Sequence, residues 1–165
     1  SGVPIRHVSV GSTPTSAYAA AVEGVTEIRP GTYIFYDRMQ HQYGVCGLSD
    51  IAAKVRATVV SVPSPTRAVI DGGSKTFATD VAPDQPPLGL KGFGEIAGHP
   101  EAIIERMNEE HGMVVSAVPH GWRVGDIVEV IPNHICSTVN LHHHVWIREE
   151  DGYSKVQVAG RGMIF

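Results

Sequence analysis

Imidazole and thiolate are both good zinc ligands, and the sequence places one of each two residues apart in Pro132-Asn133-His134-Ile135-Cys136. In a strand, residues two apart face the same side, so His134 and Cys136 are expected to point into one space. Two protein ligands fall short of the usual three at a catalytic zinc, so water and substrate would complete the shell. A buried cysteine beside a surface histidine fits the same short pattern, and spacing alone leaves both readings open. The second element is Gly11-Ser12-Thr13-Pro14-Thr15. A glycine and hydroxyls between a strand and a helix can hold phosphate through backbone N–H groups, and an ordinary capped helix start has the same composition. Tyr33, in the aromatic run Thr32-Tyr33-Ile34-Phe35-Tyr36, suits core packing as well as a binding site. Glu109-Glu110-His111-Gly112 could support a metal from behind its ligands or be a solvated turn. Of the consecutive His142, His143 and His144, at most alternate ones could face a single metal.

The elements that must position these residues follow from periodicity and turn chemistry. Residues 5–10 alternate as a strand, Pro14 suits a first helical turn, and Ser16 to Val22 is Ala-rich and helical. The first two dozen residues therefore read as strand, phosphate-type loop and helix. Val25 to Ile28, Thr32 to Tyr36, Lys54 to Val62, Arg67 to Ile70, Ile127 to Ile131, Val145 to Ile147 and Lys155 to Val158 carry strand signals. Asp71-Gly72-Gly73 closes one strand, Glu150-Asp151-Gly152 joins the last two, and residues 82–94 form a Pro- and Gly-rich loop. Ala102 to Met107 fits either a helix face or a half-buried strand. Many short strands separated by turns predict a mainly β chain, a barrel or sandwich.

Composition narrows the function classes. The chain has 165 residues, enough for one domain or a domain plus part of another, and 42% hydrophobic with 18% charged residues is globular. A net charge of −4 without a basic run offers nucleic acid no electrostatic footprint. No apolar stretch approaches the roughly 20 residues of a membrane span, and Ser1-Gly2-Val3-Pro4 lacks signal-peptide features, which predicts a soluble, cytoplasmic protein. Two cysteines do not make a disulfide framework. The strand pattern at Ile5 begins with nothing before it, while Val156 to Gly162 reads as a closing strand and turn. A missing amino-terminal part is therefore expected.

Taken in chain order, Gly11-Ser12-Thr13-Pro14-Thr15, Arg29-Pro30-Gly31-Thr32-Tyr33, Asp71-Gly72-Gly73-Ser74-Lys75, Glu109-Glu110-His111-Gly112, Gly125-Asp126 and Pro132-Asn133-His134-Ile135-Cys136-Ser137-Thr138 resemble one family. It is the group of fold-type III pyridoxal-phosphate enzymes containing D-threonine aldolase, eukaryotic-type D-serine dehydratase and 3-hydroxyaspartate aldolases. The resemblance implies an alanine-racemase-like architecture. Residues 1–26 would be the last βα piece of a (β/α)8 barrel, and residues 27–165 the carboxy-terminal β-domain, with Ala102 to Met107 a strand. It maps the phosphate of pyridoxal 5'-phosphate onto Gly11, Ser12 and Thr13, with Tyr33 a further cofactor-pocket candidate. It maps a divalent metal, zinc first, onto His134 and Cys136. It implies a lyase for D-3-hydroxy amino acids, a homodimer when intact, and no nucleic-acid or membrane partner. The lysine that carries the cofactor lies early in the barrel in this family, and none of Lys54, Lys75, Lys91 or Lys155 has a matching context. The chain alone is thus expected to be inactive without the missing barrel half. The competing readings are a relative of amino acid racemases and a non-catalytic ligand-binding β-domain.

Overall fold

The computed structural model describes Gly2 and residues 4–163. Ser1 and Val3, in the stretch read for a leader, and Ile164 and Phe165 at the far end lie outside the described residues. The chain opens with a small parallel pair, Ser9–Val10 (β1) and Glu27–Ile28 (β2), in register Ser9↔Glu27 and Val10↔Ile28. A 3-10 turn at Thr13–Thr15, with proline in its first positions, and the helix Ser16–Ala20 (α1) connect them. The unit is right for its type, but β1 holds only the last two residues of the expected strand, and α1 is shorter than its Ala-rich run. The pairing also groups Glu27–Ile28 with the residues before them.

Thr32 to Tyr36 does not form the strand that its β-branched and aromatic residues favour. Thr32–Ile34 is a 3-10 turn. Propensity of that kind needs a neighbouring strand to pair with, and the backbone here is engaged singly instead. The Tyr33 N–H donates to Thr13 Oγ1 at 3.1 Å, and the Phe35 carbonyl accepts from the Ala52 N–H. Tyr36, at φ 53°, then turns the chain into the helix Arg38–Gln42 (α2), which Asp37 caps.

Beyond it the strands Val55–Ser64 (β3) and Arg67–Ile70 (β4) pair antiparallel, and a short helix, Ser74–Phe77 (α3), follows. Next come Gly94–Ile96 (β5), His99–Met107 (β6), Gly112–Ser116 (β7) and Ile127–Pro132 (β8). The order β3-β4-β7-β6-β5-β8 closes into a barrel, because β8 pairs with both β3 and β5. Closure removes exposed strand edges. Alternation fills the interior: Ala57 and Val59, Ala68 and Ile70, Ala102 and Ile104, Val128 and Val130 point inward with Ile96, Val114 and Phe77. The segment Ala102 to Met107 is therefore strand, as a half-buried alternation requires. The helix Ile135–Leu141 (α4) leaves β8, and a separate hairpin, His144–Glu149 (β9) with Gly152–Gln157 (β10), ends the described chain.

Burial is uneven. A buried Ile or Val side chain contributes about 1.5–3 kcal/mol, and the barrel interior holds most of them, whereas α1 buries none of its residues and Ile5, Tyr18 and Val22 are exposed. The barrel is the stable body of the chain. One turn locks its end: the backbone N–H of Ser74 donates to Asn108 O at 2.8 Å, and that of Lys75 to Glu109 O at 3.2 Å. Asp71-Gly72-Gly73 and Asn108-Glu109 thus pack backbone to backbone. A Cβ on Gly73 would lie 2.3 Å from Asn108 O and 2.6 Å from Glu109 O. Gly73→Ala is therefore expected to destabilise the protein by about 1–3 kcal/mol, read as a lower midpoint in urea unfolding.

Candidate functional site

β8 ends at Pro132, and the next residues do not continue as a strand. His134 has an extended backbone (φ −137°, ψ 107°) and caps α4, so Cys136 is the second residue of a helix. The shared strand face expected for His134 and Cys136 is thus replaced by a helix start. The cause is tertiary. The side chain of Asn133 is buried: its Oδ1 accepts from Arg38 Nη1 at 2.7 Å, and its Nδ2 donates to Gly92 O at 2.9 Å. Its carbonyl takes the Met39 N–H at 3.1 Å. Thr138, also buried, sends its hydroxyl to His134 O at 2.8 Å and to Phe77 O at 2.9 Å. These bonds outweigh the β-propensity of Ile135, Thr138 and Val139.

Asp37 joins the two halves of the site. It is fully buried. Its Oδ1 accepts the Gln40 N–H and its Oδ2 the Ile135 N–H, both at 2.9 Å. One carboxylate therefore caps α2 and the first turn of α4 at once. Burial is the largest influence and holds this carboxyl above its ordinary value, although both backbone N–H bonds and the nearby His134 oppose it. Beside it, burial pulls the Arg38 guanidinium down, partly offset by Glu95, whose Oε2 lies 3.5 Å from Arg38 Nε.

The reactive groups stand at this helix start. His134 is half-buried, and its Nδ1 meets Asp80 Oδ2 at 2.5 Å. Ser137 Oγ donates to the same oxygen at 2.8 Å and lies 3.3 Å from His134 Nδ1. Burial would raise the Asp80 carboxyl, but the bonds from His134 and Ser137 prevail and hold it below the usual carboxylate range. The ring is engaged through Nδ1, which leaves Nε2 as the nitrogen available to a ligand. Cys136 is exposed, and its Sγ lies 3.2 Å from Thr32 Oγ1. Among the described residues, no group of three or more His, Cys, Asp or Glu side chains is arranged to hold a metal.

The loop expected to hold phosphate is tied to the same place. Thr13 is buried, its hydroxyl accepts the Tyr33 N–H, and Thr32 touches Cys136, so residues 32–33 bridge the loop and the His134–Cys136 pair. Gly11 has a packing reason of its own, since a Cβ there would lie 2.9 Å from Arg29 Cβ. Ser12 Oγ pairs with Thr15 Oγ1 at 2.9 Å, and no side chain caps the turn that follows. Tyr33 is exposed. The other candidates lie apart: Glu110 pairs with Lys75, and His142 Nε2 bonds Thr76 O at 3.1 Å. Each lysine is engaged at the surface, Lys54 with Glu129, Lys75 with Glu110, Lys91 with Asp84, and Lys155 over the Trp146 ring. Sequence reasoning missed Asp37, Asp80 and Ser137. Asp37, ahead of a short polar helix, carried a capping signal; Asp80, 54 positions from His134, carried none.

The family described as "Putative serine dehydratase domain" matches residues 52–148. The chain belongs to this family. It is 32% identical over 149 residues to D-threo-3-hydroxyaspartate dehydratase of Delftia sp., and 32% identical over 154 residues to D-serine dehydratase of Dictyostelium discoideum. These matches cover 83% and 85% of this chain but 39% and 38% of the relatives, so the chain spans about two fifths of their length. An uncharacterized protein of Mycobacterium tuberculosis, 36% identical over 135 residues, is covered for 96% of its own length. The solved Delftia dehydratase superposes with a TM-score of 0.82 at 29% identity, over 94% of this chain and 45% of that one. D-threonine aldolase from Filomicrobium marinum shares the fold, with a TM-score of 0.78 at 24% identity over 99% of this chain and 44% of that one. The architecture is therefore that of the β-domain of alanine-racemase-like enzymes. Among the described residues no helix is long and apolar enough to cross a membrane.

Removing the Asp37 carboxylate strands two buried N–H groups and a helix cap. Asp37→Ala is expected to cost about 2–4 kcal/mol in unfolding free energy, and exchange of the Ile135 amide hydrogen, followed by NMR, should accelerate.

Proposed function

We propose that this chain is the metal-holding, carboxy-terminal part of a pyridoxal-phosphate-dependent lyase acting on D-3-hydroxy amino acids. His134 and Cys136 are the protein ligands of a divalent metal, and zinc suits their imidazole and thiolate better than magnesium or manganese does. The observation that carries the reading is the helix start that presents both donors, with Asp80 on the far nitrogen of His134 and Thr32 against Cys136. A carboxylate behind a ligating histidine is the usual support of such a site. Solved variants of D-threo-3-hydroxyaspartate dehydratase replace a histidine and, two positions on, a cysteine by alanine, and the cysteine variant is in a metal-free form. That spacing is the one between His134 and Cys136. With two protein donors, water and substrate oxygen complete the shell.

When bound, the metal supplies Lewis acidity at the substrate's β-hydroxyl and the pyridoxal group an electron sink. The protein's own part is positional. Gly11, Ser12 and Thr13, at a turn that no side chain caps, would hold the cofactor phosphate through their backbone N–H groups. Tyr33, whose backbone N–H bonds Thr13, would stand beside the cofactor. Thr32 hydrogen-bonds the Cys136 sulfur and would hold it in place as a metal ligand. The cofactor lysine comes from the amino-terminal barrel half, of which residues 1–26, with β2 paired to them, are the last piece. Exposed Ile5, Tyr18 and Val22 support that packing, since apolar surface of this kind marks an interface. The intact protein is a cytoplasmic homodimer in this reading, and the same architecture leaves aldolase and dehydratase chemistry both open to it.

The relative from Mycobacterium tuberculosis, covered almost end to end, favours a second reading for some members: a free-standing β-domain that holds a metal or ligand without lyase chemistry. An assay on the full-length protein separates the two. Breakdown of D-serine, D-threonine or D-3-hydroxyaspartate should fall to background on chelation, return with zinc, and be absent in His134→Ala. Activity that survives chelation contradicts the metal's role. A protein that binds zinc but cleaves none of these substrates supports the free-standing reading.

A further inference from the structure

The loop between α3 and β5 runs back along the start of α4 and is fastened to it twice. Before the loop, Phe77 O accepts the Thr138 hydroxyl at 2.9 Å. Four residues on, Val81 O accepts from Asn133 Nδ2 at 3.4 Å. Between these ties the chain passes through Ala78 at φ 61°, a conformation that L-residues adopt at a cost and that surrounding contacts must hold. Asp80 sits between the fastenings, and its Oδ2 receives both His134 Nδ1 and Ser137 Oγ. The loop is therefore a brace aligned on residues 133–138, with the Asp80 carboxylate aimed at the imidazole.

An ionised carboxylate only accepts hydrogen bonds, so the proton between the two groups sits on His134 Nδ1, and Nε2 is the nitrogen left to bind a metal. We propose that Asp80 is a positioning residue for the metal: it fixes the tautomer and orientation of His134 so that Nε2 is held ready as a ligand. This rests on His134 and Cys136 being the metal ligands. Ser137 shares the same carboxylate oxygen and limits its rotation. Asp80 touches neither metal nor substrate; it acts through His134.

The test is metal affinity of the full-length protein, measured with Zn²⁺ against a chromophoric chelator, with the absorption spectrum of the Co²⁺-loaded protein as a second readout. Asp80→Ala is expected to weaken zinc binding by roughly 10–100-fold and to shift the cobalt bands. Asp80→Asn has the same shape, but its amide can donate as well as accept, so the tautomer is no longer enforced. It is expected to lose about 10-fold, the low end of that range, and it decides the matter if Asp80→Ala does not fold. Wild-type zinc affinity and an unchanged cobalt spectrum in either Asp80 variant, while His134→Ala abolishes binding, would overturn the role of Asp80 and leave the ligand assignment standing. Equal binding by wild type and His134→Ala, or no binding by wild type, would overturn both.

Discussion

One buried carboxylate organises the site. Asp37 accepts the first backbone N–H of α4 and the third of α2, and it does so out of reach of water. An anion there is costly unless donors surround it. The donors available are the N–H groups at two helix starts, whose partial positive charge favours it. The bond favours a helix after Pro132, together with the ties of Asn133 and Thr138 to Arg38, Gly92, Met39 and Phe77. Against these, the β-propensity of Ile135 and its β-branched neighbours does not prevail. His134 and Cys136 owe their placement to that departure.

The rest of the molecule divides the labour. The six-stranded barrel supplies stability through an interior of alternating Val, Ile and Ala, and β8 delivers Asn133 and His134 at its rim. The segment 30–40, which forms no sheet, reaches from the Thr13 loop to the base of α4 and touches Cys136 on the way. The loop 78–81 braces the opposite side through Asp80. The pair is thus held by two segments outside the barrel against a rigid body, the arrangement in which loops carry function and the scaffold carries stability. β1, α1 and β2 are thinly buried by comparison and leave Ile5, Tyr18 and Val22 exposed.

The sequence made the barrel legible because its strands are periodic and locally encoded. Lys54 to Val62, Arg67 to Ile70 and Ile127 to Ile131 alternate as the pleat requires, and turns such as Asp71-Gly72-Gly73 punctuate them. Ala102 to Met107 satisfied two periods at once, and family resemblance rather than pattern favoured the strand. The failures share one cause. Thr32 to Tyr36 and Ile135 to Cys136 are rich in β-formers, but distant partners, Thr13, Ala52 and Asp37, claim their backbone groups. No local pattern reports a hydrogen bond across 98 positions, the separation of Asp37 and Ile135. The proposed ligand pair was visible as His-x-Cys, whereas the carboxylate against His134 was not, because a short Asp in a Pro-rich loop looks like any other surface residue.

The central claim is that the start of α4 is a metal site with one imidazole and one thiolate donor. Zinc K-edge X-ray absorption of the purified protein loaded with one equivalent of zinc tests it most directly. The account predicts a shell with one sulfur near 2.3 Å and nitrogen or oxygen ligands at about 2.0–2.1 Å, the sulfur lost in Cys136→Ala. A shell without sulfur, or one unchanged by that substitution, would contradict it.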